Sequence, residues 1–206
     1  KDQRAIGMLE QDFFTEIGEK RLQIIEGDIL DSQISNLQSL ISGQYALIAN
    51  IPYYITGAIL EKFLEHAPRP NRMVLLVQKE VAERIVARDN KQSILSISVK
   101  AFGTPKLVAK VPPGAFTPPP TVDSAILSIT DISDSYFKQK NVNIQRFFSI
   151  VKAGFAHKRK FTTRNLEIVL EKEVVQNIWK KLALDPKIRA EDMTVKQWAE
   201  LAAEEN

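Results

Sequence analysis

Apolar residues in the opening segment recur at helical spacing, at Ala5, Ile6, Met8, Leu9 and Phe13, and then gather into the short run Leu22 to Ile25 before Gly27-Asp28. The first pattern predicts a helix; the second, with its Ile-Ile pair, predicts a strand. A polar, helix-like stretch follows, and another strand is predicted over Tyr45 to Ala49. Ile55, Ile59, Phe63 and Leu64 form a helical stripe. Met73 to Val77 is continuously apolar, as a strand buried on both faces would be, and Glu80 to Ala87 returns to helix. Strand-helix alternation with short links predicts right-handed crossovers and a mostly parallel sheet covered on both sides, the α/β class.

Two further strand candidates, Leu107 to Val111 and Ala125 to Ile129, flank a stretch rich in proline: Pro105, Pro112, Pro113, Pro118, Pro119 and Pro120. Proline removes a donor and fixes the backbone, so this stretch predicts a stiff loop. From Asp131 to Asn143 the pattern is polar, and beyond it Ile144 to Ala156, Leu166 to Leu170, Val174 to Leu182 and Val195 to Ala203 all read as helix. A boundary near residue 133 is expected, with an α/β domain over 1–132 and a small all-α domain over 133–206.

Composition narrows the chemistry. With 206 residues and 44% hydrophobic content the chain can bury a core, which excludes a disordered polymer. No apolar run reaches the roughly 20 residues of a membrane span, and no leader pattern opens the chain, so a cytoplasmic monomer without membrane contact is expected. The absence of cysteine excludes thiolate metal sites and thiol nucleophiles, and two isolated histidines, His66 and His157, leave no histidine-based metal site. The net charge of +3 is unevenly spread: residues 1–33 hold four basic and eight acidic side chains, residues 34–130 ten and six. Lys1 runs straight into a helical pattern, so an upstream segment is expected to be missing.

Asn50-Ile51-Pro52-Tyr53-Tyr54 follows the Tyr45 to Ala49 strand and so falls at the carboxyl end of a strand, where open α/β sheets bind ligands. An amide, a proline and two aromatic rings suit a planar, hydrogen-bonding ligand. This segment resembles the acceptor motif of S-adenosylmethionine-dependent amino-methyltransferases, in the variant used by the ribosomal RNA adenine N6,N6-dimethyltransferase family of the small-subunit, kasugamycin-resistance type. Val77-Gln78-Lys79-Glu80-Val81-Ala82-Glu83-Arg84 resembles that family's strand-to-helix junction, and Phe116 to Ser124 its F-x-P-x-P-x-V-x-S loop. Phe155-Ala156-His157-Lys158-Arg159-Lys160, then Arg164-Asn165-Leu166, resemble its F-x-x-(K/R)-R-K…N-L segment. Ile188 to Glu191 with Trp198 resemble its closing pattern.

The resemblance implies a Rossmann-like methyltransferase sheet, truncated at its N-terminus and followed by a small all-α domain, that dimethylates adenine N6 in 16S ribosomal RNA during ribosome biogenesis. S-adenosylmethionine would be the cofactor, and the small-subunit precursor the partner. Adenine N6 is a weak nucleophile because its lone pair is delocalised into the ring. Acceptors at the Asn50 side chain and the backbone carbonyl near Ile51 or Pro52 could hold the amino hydrogens and align that lone pair with the sulfonium methyl. A flipped base needs aromatic faces, and Tyr53 and Phe116 are the candidate clamp. The family role of Asp28 is to accept from the cofactor's adenine amino group.

The family's glycine-rich turn and ribose-binding acid are not found in this sequence, so the fragment itself is expected to be deficient in cofactor and inactive. Lys152, Lys158, Arg159, Lys160 and Arg164 fall between Val151 and Asn165 with no acid, an electrostatic footprint for a phosphate backbone. Two other readings share these segments: a large-subunit methyltransferase conferring antibiotic resistance, and a non-catalytic RNA-binding module of ribosome assembly.

Overall fold

The structure, a computed structural model, describes residues 2–31, 43–66 and 68–203. It divides into two compact units, Lys1–Gly43 and Gln44–Asn206. Among the described residues no helix is long and apolar enough to cross a membrane.

The first unit opens with helix α1 (Gln3–Asp12) and helix α2 (Phe14–Gly18). The Asp2 carboxylate accepts from the amides of Arg4 at 3.0 Å and Ala5 at 3.4 Å, satisfying donors that the first turn leaves unpaired. The strand expected over Leu22 to Ile25 is not formed. Leu22 is 37% and Ile25 44% exposed. β-Branched residues favour a strand where a neighbouring strand takes up their backbone groups; here the Leu22 amide donates instead to the Glu16 carbonyl at 3.1 Å, and no described strand pairs with the segment. The polar stretch predicted next lies for the most part outside the described residues.

The second unit begins with β1 (Ala46–Asn50), a 3₁₀ turn (Tyr53–Ile55), α3 (Thr56–Glu65) and β2 (Arg72–Gln78). Helices α4 (Lys79–Val86) and α5 (Ile94–Lys100) lead to β3 (Thr104–Val111) and β4 (Ser124–Thr130). The sheet order is β1-β2-β4-β3. Among the described residues only the β1–β2 pair is parallel; β4 runs antiparallel to both β2 and β3, which corrects the mostly parallel sheet expected from alternation. The reason is local: a parallel return needs a long crossover, usually a helix, whereas the proline loop simply turns the chain back from β3 into β4. Within β3 the pairing slips between Leu107 and Ala109, and Lys106 and Lys110 are exposed.

Pairing fixes the core. Met73, Leu75 and Val77 of β2 face Ile129, Leu127 and Ala125 of β4, and all six are fully buried. Ala82 and Ile85 of α4 and Ile97 and Val99 of α5 add to the core, and both helices pack on the sheet. Val74 and Leu76, on the other face of β2, are half-buried.

Beyond the sheet come α6 (Ser135–Lys140), α7 (Ile144–Gly154), α8 (Thr162–Leu166), α9 (Lys172–Lys181) and α10 (Val195–Ala203). Phe102, just after α5, stacks on Phe148 with ring centroids 6.1 Å apart and meets Phe137 at a tilt with centroids 5.2 Å apart, and the Arg69 guanidinium sits 5.0 Å over its ring. Arg69 also pairs with Asp134 at 2.9 Å, and Lys138 with the same carboxylate at 3.0 Å. Partial burial pushes the Asp134 carboxyl up, but Lys138 and Arg69 outweigh it and hold it below the ordinary carboxylate range.

Candidate active site and nucleic-acid interface

Strand direction gathers three segments at one rim of the sheet. β1 and β2 run parallel with Asn50 opposite Leu76, so Asn50 and the Gln78-Lys79 junction leave the sheet at the same end. β4 runs the other way and therefore starts there, with Ser124 paired to Gln78 on one side and Val111 on the other. Asn50 to Tyr54, Val77 to Arg84 and Phe116 to Ser124, far apart in sequence, thus share this rim.

Asn50 is exposed, and its side chain bonds to no other described residue. Ile51 is buried and anchors the turn. The Pro52 carbonyl accepts the Ile55 amide at 3.1 Å, and the Thr56 hydroxyl donates to the Tyr53 carbonyl at 2.9 Å, which closes the 3₁₀ turn and hands over to α3. Tyr53 is half-buried with its hydroxyl 2.5 Å from Ser124 Oγ, which is fully buried. Tyr54, by contrast, is 89% exposed. The Lys79 amide donates to the Asp123 carbonyl at 3.0 Å and its ammonium pairs with the Asp123 carboxylate at 3.1 Å, lashing the proline loop to the first turn of α4. Phe116 is half-buried in that loop, its amide donating to the Pro113 carbonyl at 3.1 Å.

The rim therefore holds Asn50, Ile51, Pro52 and Tyr53, and the loop that carries Phe116 opens at the same end of the sheet. Sequence reasoning passed over Ser124 as a site residue. Its signal was present: it closes the F-x-P-x-P-x-V-x-S segment and pairs with the last residue of β2. Asp28 belongs to the first unit, where it is half-buried and its carboxylate accepts the Leu30 amide at 2.9 Å.

Lys158, Arg159 and Lys160 lie exposed in the connection between α7 and α8. Both ends of that connection are pinned. Asn165, 1% exposed, donates from its side-chain amide to the carbonyls of Gly154 at 2.5 Å and His157 at 3.1 Å. The Thr162 amide and hydroxyl both donate to the Ile188 carbonyl at 3.0 Å. Phe155 stacks on Trp198 at 5.8 Å, and a Cβ on Gly154 would fall 2.2 Å from the same indole, so only glycine fits there.

The other two basic candidates stand differently. Lys152, on α7, acts on Glu65, whose carboxyl is raised by burial and by Glu61 against the pull of Lys152 and His66. Arg164 pairs with Glu167 at 3.0 Å, an acid one turn beyond the run that looked uniformly basic.

Residues 1–206 match the protein-family profile described as "Ribosomal RNA adenine dimethylase". Among curated relatives, the "Ribosomal RNA small subunit methyltransferase A" of Dehalococcoides mccartyi (strain CBDB1) is 38% identical over 208 residues, covering 98% of this chain and 68% of the relative. The protein of the same name from Trichormus variabilis (strain ATCC 29413 / PCC 7937) is 35% identical, over 91% of this chain and 72% of the relative. Among solved structures, a dimethyladenosine transferase from Plasmodium falciparum superposes with a TM-score of 0.80 at 24% identity, over 97% of this chain and 78% of that one. The 23S rRNA methyltransferase ErmE superposes with a TM-score of 0.68 at 20% identity, over 98% and 78%. At these identities the two structures establish the fold, a Rossmann-like sheet followed by helices.

Proposed function

We propose, since this chain belongs to the ribosomal RNA adenine dimethylase family, that its rim carries adenine N6 dimethylation of small-subunit ribosomal RNA. Family membership makes it an RNA methyltransferase whose donor is S-adenosylmethionine. The observation that carries the site is Asn50: an uncommitted carboxamide at the carboxyl end of a parallel strand, beside a tyrosine locked by a buried serine.

S-adenosylmethionine supplies an electrophilic methyl group on a sulfonium. The polar atoms of the second unit that fit its reacting end belong to the exposed Asn50 carboxamide. On the substrate side, Asn50 Oδ1 accepts one hydrogen of the adenine amino group. Because the Pro52 carbonyl already accepts Ile55, the Ile51 carbonyl is the natural acceptor for the other. Holding both hydrogens in the plane fixes where the nitrogen lone pair points, which is the positioning this reaction needs. Tyr53 and Phe116 supply faces for the unstacked base, each worth about 1–3 kcal/mol.

Residues 133–206 are assigned as the RNA-binding region, with Lys158, Arg159 and Lys160 as its pinned basic turn and Lys152 and Arg164 at its edges. A cytoplasmic monomer acting on the small-subunit precursor fits this reading, and the small-subunit choice follows the names of the relatives.

The test is tritiated-methyl transfer to under-methylated 30S particles. In the full-length enzyme, Asn50→Ala is expected to abolish transfer with RNA affinity nearly unchanged, and Lys158→Glu with Arg159→Glu to weaken RNA binding first. Parallel loss of affinity and transfer in Asn50→Ala would overturn the assignment.

A further inference from the structure

A groove of about 580 Å³ runs between α8 and α9, directly after the basic turn. Its geometry follows from helix spacing. Lys172, Gln176 and Lys180 recur every four residues and form one row along α9; the buried Val175 and Trp179 form the adjacent row, and Ala183, beyond the helix end, also lines the groove. The two lysines are thus about 12 Å apart along the helix axis. Trp179 is buried, and its indole nitrogen donates to the Asp185 carbonyl at 3.1 Å, which fixes the ring as a wall. Opposite, Phe161 stands at the mouth 39% exposed, an uncommon position for a phenyl ring in a water-facing groove.

Charge selects the occupant. The acid that lines the groove, Glu167, is taken up by Arg164. Lys172, Lys180 and Lys187 also line it, and none has an ion-pair partner among the described residues. Three uncompensated ammonium groups around an exposed ring and an apolar floor match a ligand that is anionic at its edge and flat and aromatic within. An acidic peptide would satisfy the lysines and leave the ring in water. The volume is within the range of small-ligand sites, enough for one nucleotide.

We propose that this groove binds an unpaired RNA nucleotide, its base against Phe161 and its flanking phosphates on Lys172 and Lys180, as a second contact continuous with the basic turn. The proposal rests on the reading of the helical region as RNA-binding.

The test measures, by fluorescence anisotropy across a salt series, the affinity of the whole chain for a labelled single-stranded adenine-rich RNA of about 12 nucleotides and for a duplex of the same length. Lys172→Gln with Lys180→Gln is expected to lower the salt slope on the single strand by about 1.4, the value for two phosphate contacts. Phe161→Leu, which keeps an apolar cover, is expected to weaken the single strand about tenfold and spare the duplex. Unchanged slope and affinity, an equal loss on duplex and single strand with Phe161→Leu, or polyglutamate competing as well as RNA would each overturn the groove. Lys158→Glu with Arg159→Glu serves as the separate arm. If that variant binds RNA normally, the basic-turn reading fails on its own, whatever the groove variants do.

Discussion

The contact between Tyr53 and Ser124 can be taken apart energetically. Ser124→Ala removes one hydroxyl from a pair 2.5 Å apart and leaves the tyrosine hydroxyl half-buried, so a net loss of about 1 kcal/mol is expected. Tyr53→Phe leaves the serine hydroxyl fully buried without a partner, and its desolvation brings the cost to about 1–3 kcal/mol. The double variant carries no orphaned polar atom and should cost less than the two singles added, by a coupling of about 1 kcal/mol. Urea unfolding measures the stability cycle, the midpoints being comparable as long as the slopes agree. In methyl transfer by the full-length enzyme, Ser124→Ala keeps the Tyr53 ring but frees its tilt. A loss of about 1 kcal/mol in positioning lowers kcat roughly fivefold with KM little changed. Additive stabilities within about 0.3 kcal/mol, or a kcat untouched by Ser124→Ala, would refute the claim that the serine locks the ring.

Other substitutions probe the supports of the site. Gly154→Ala drives a methyl into the Trp198 indole and should cost at least the usual 1–3 kcal/mol of overpacking, about, read as a lower melting midpoint and partly restored by Trp198→Phe. Asn165→Asp sets a carboxylate against the Gly154 and His157 carbonyls; a loss of about 3 kcal/mol is expected, with RNA affinity falling at temperatures where the fold persists. Because the folded-state carboxyl of Asp134 is lowered, its contribution is present above the unfolded carboxylate range, near pH 4, and is lost as pH falls through the folded value. Asp134→Asn should therefore flatten the acid limb of a stability-against-pH curve, and an unaltered limb would show that another carboxylate governs it.

Periodicity carried the helices and strands with a buried face. The helix expected over Val195 to Ala203 has those ends, and Met73 to Val77 lies inside β2. It missed α6, which buries only Phe137 and is otherwise polar, and α5, whose start is a capping box built from Ser93 and Ser96 with no acid to announce it. Strand direction escaped as well, since alternation does not distinguish a crossover from a proline loop that folds back. For the candidate site, the motif segments could be named from the sequence one at a time. Their meeting was not, because it depends on the β2–β4 register, a tertiary fact. Arg164 looked free for RNA only because the counted window stopped short of Glu167.

The outer strand β3 has a consequence for how this protein behaves when crowded. An open strand edge is a template for another chain, and flat, apolar edges seed association. Here Pro105 removes one donor from the row, the slip between Leu107 and Ala109 breaks its spacing, and Lys106 and Lys110 place charge along it. A visiting strand would meet a gap, a kink and two cations in succession. Concentrated preparations should therefore not lengthen the sheet through this side, and the proline loop that opens beside it stays clear of strand exchange.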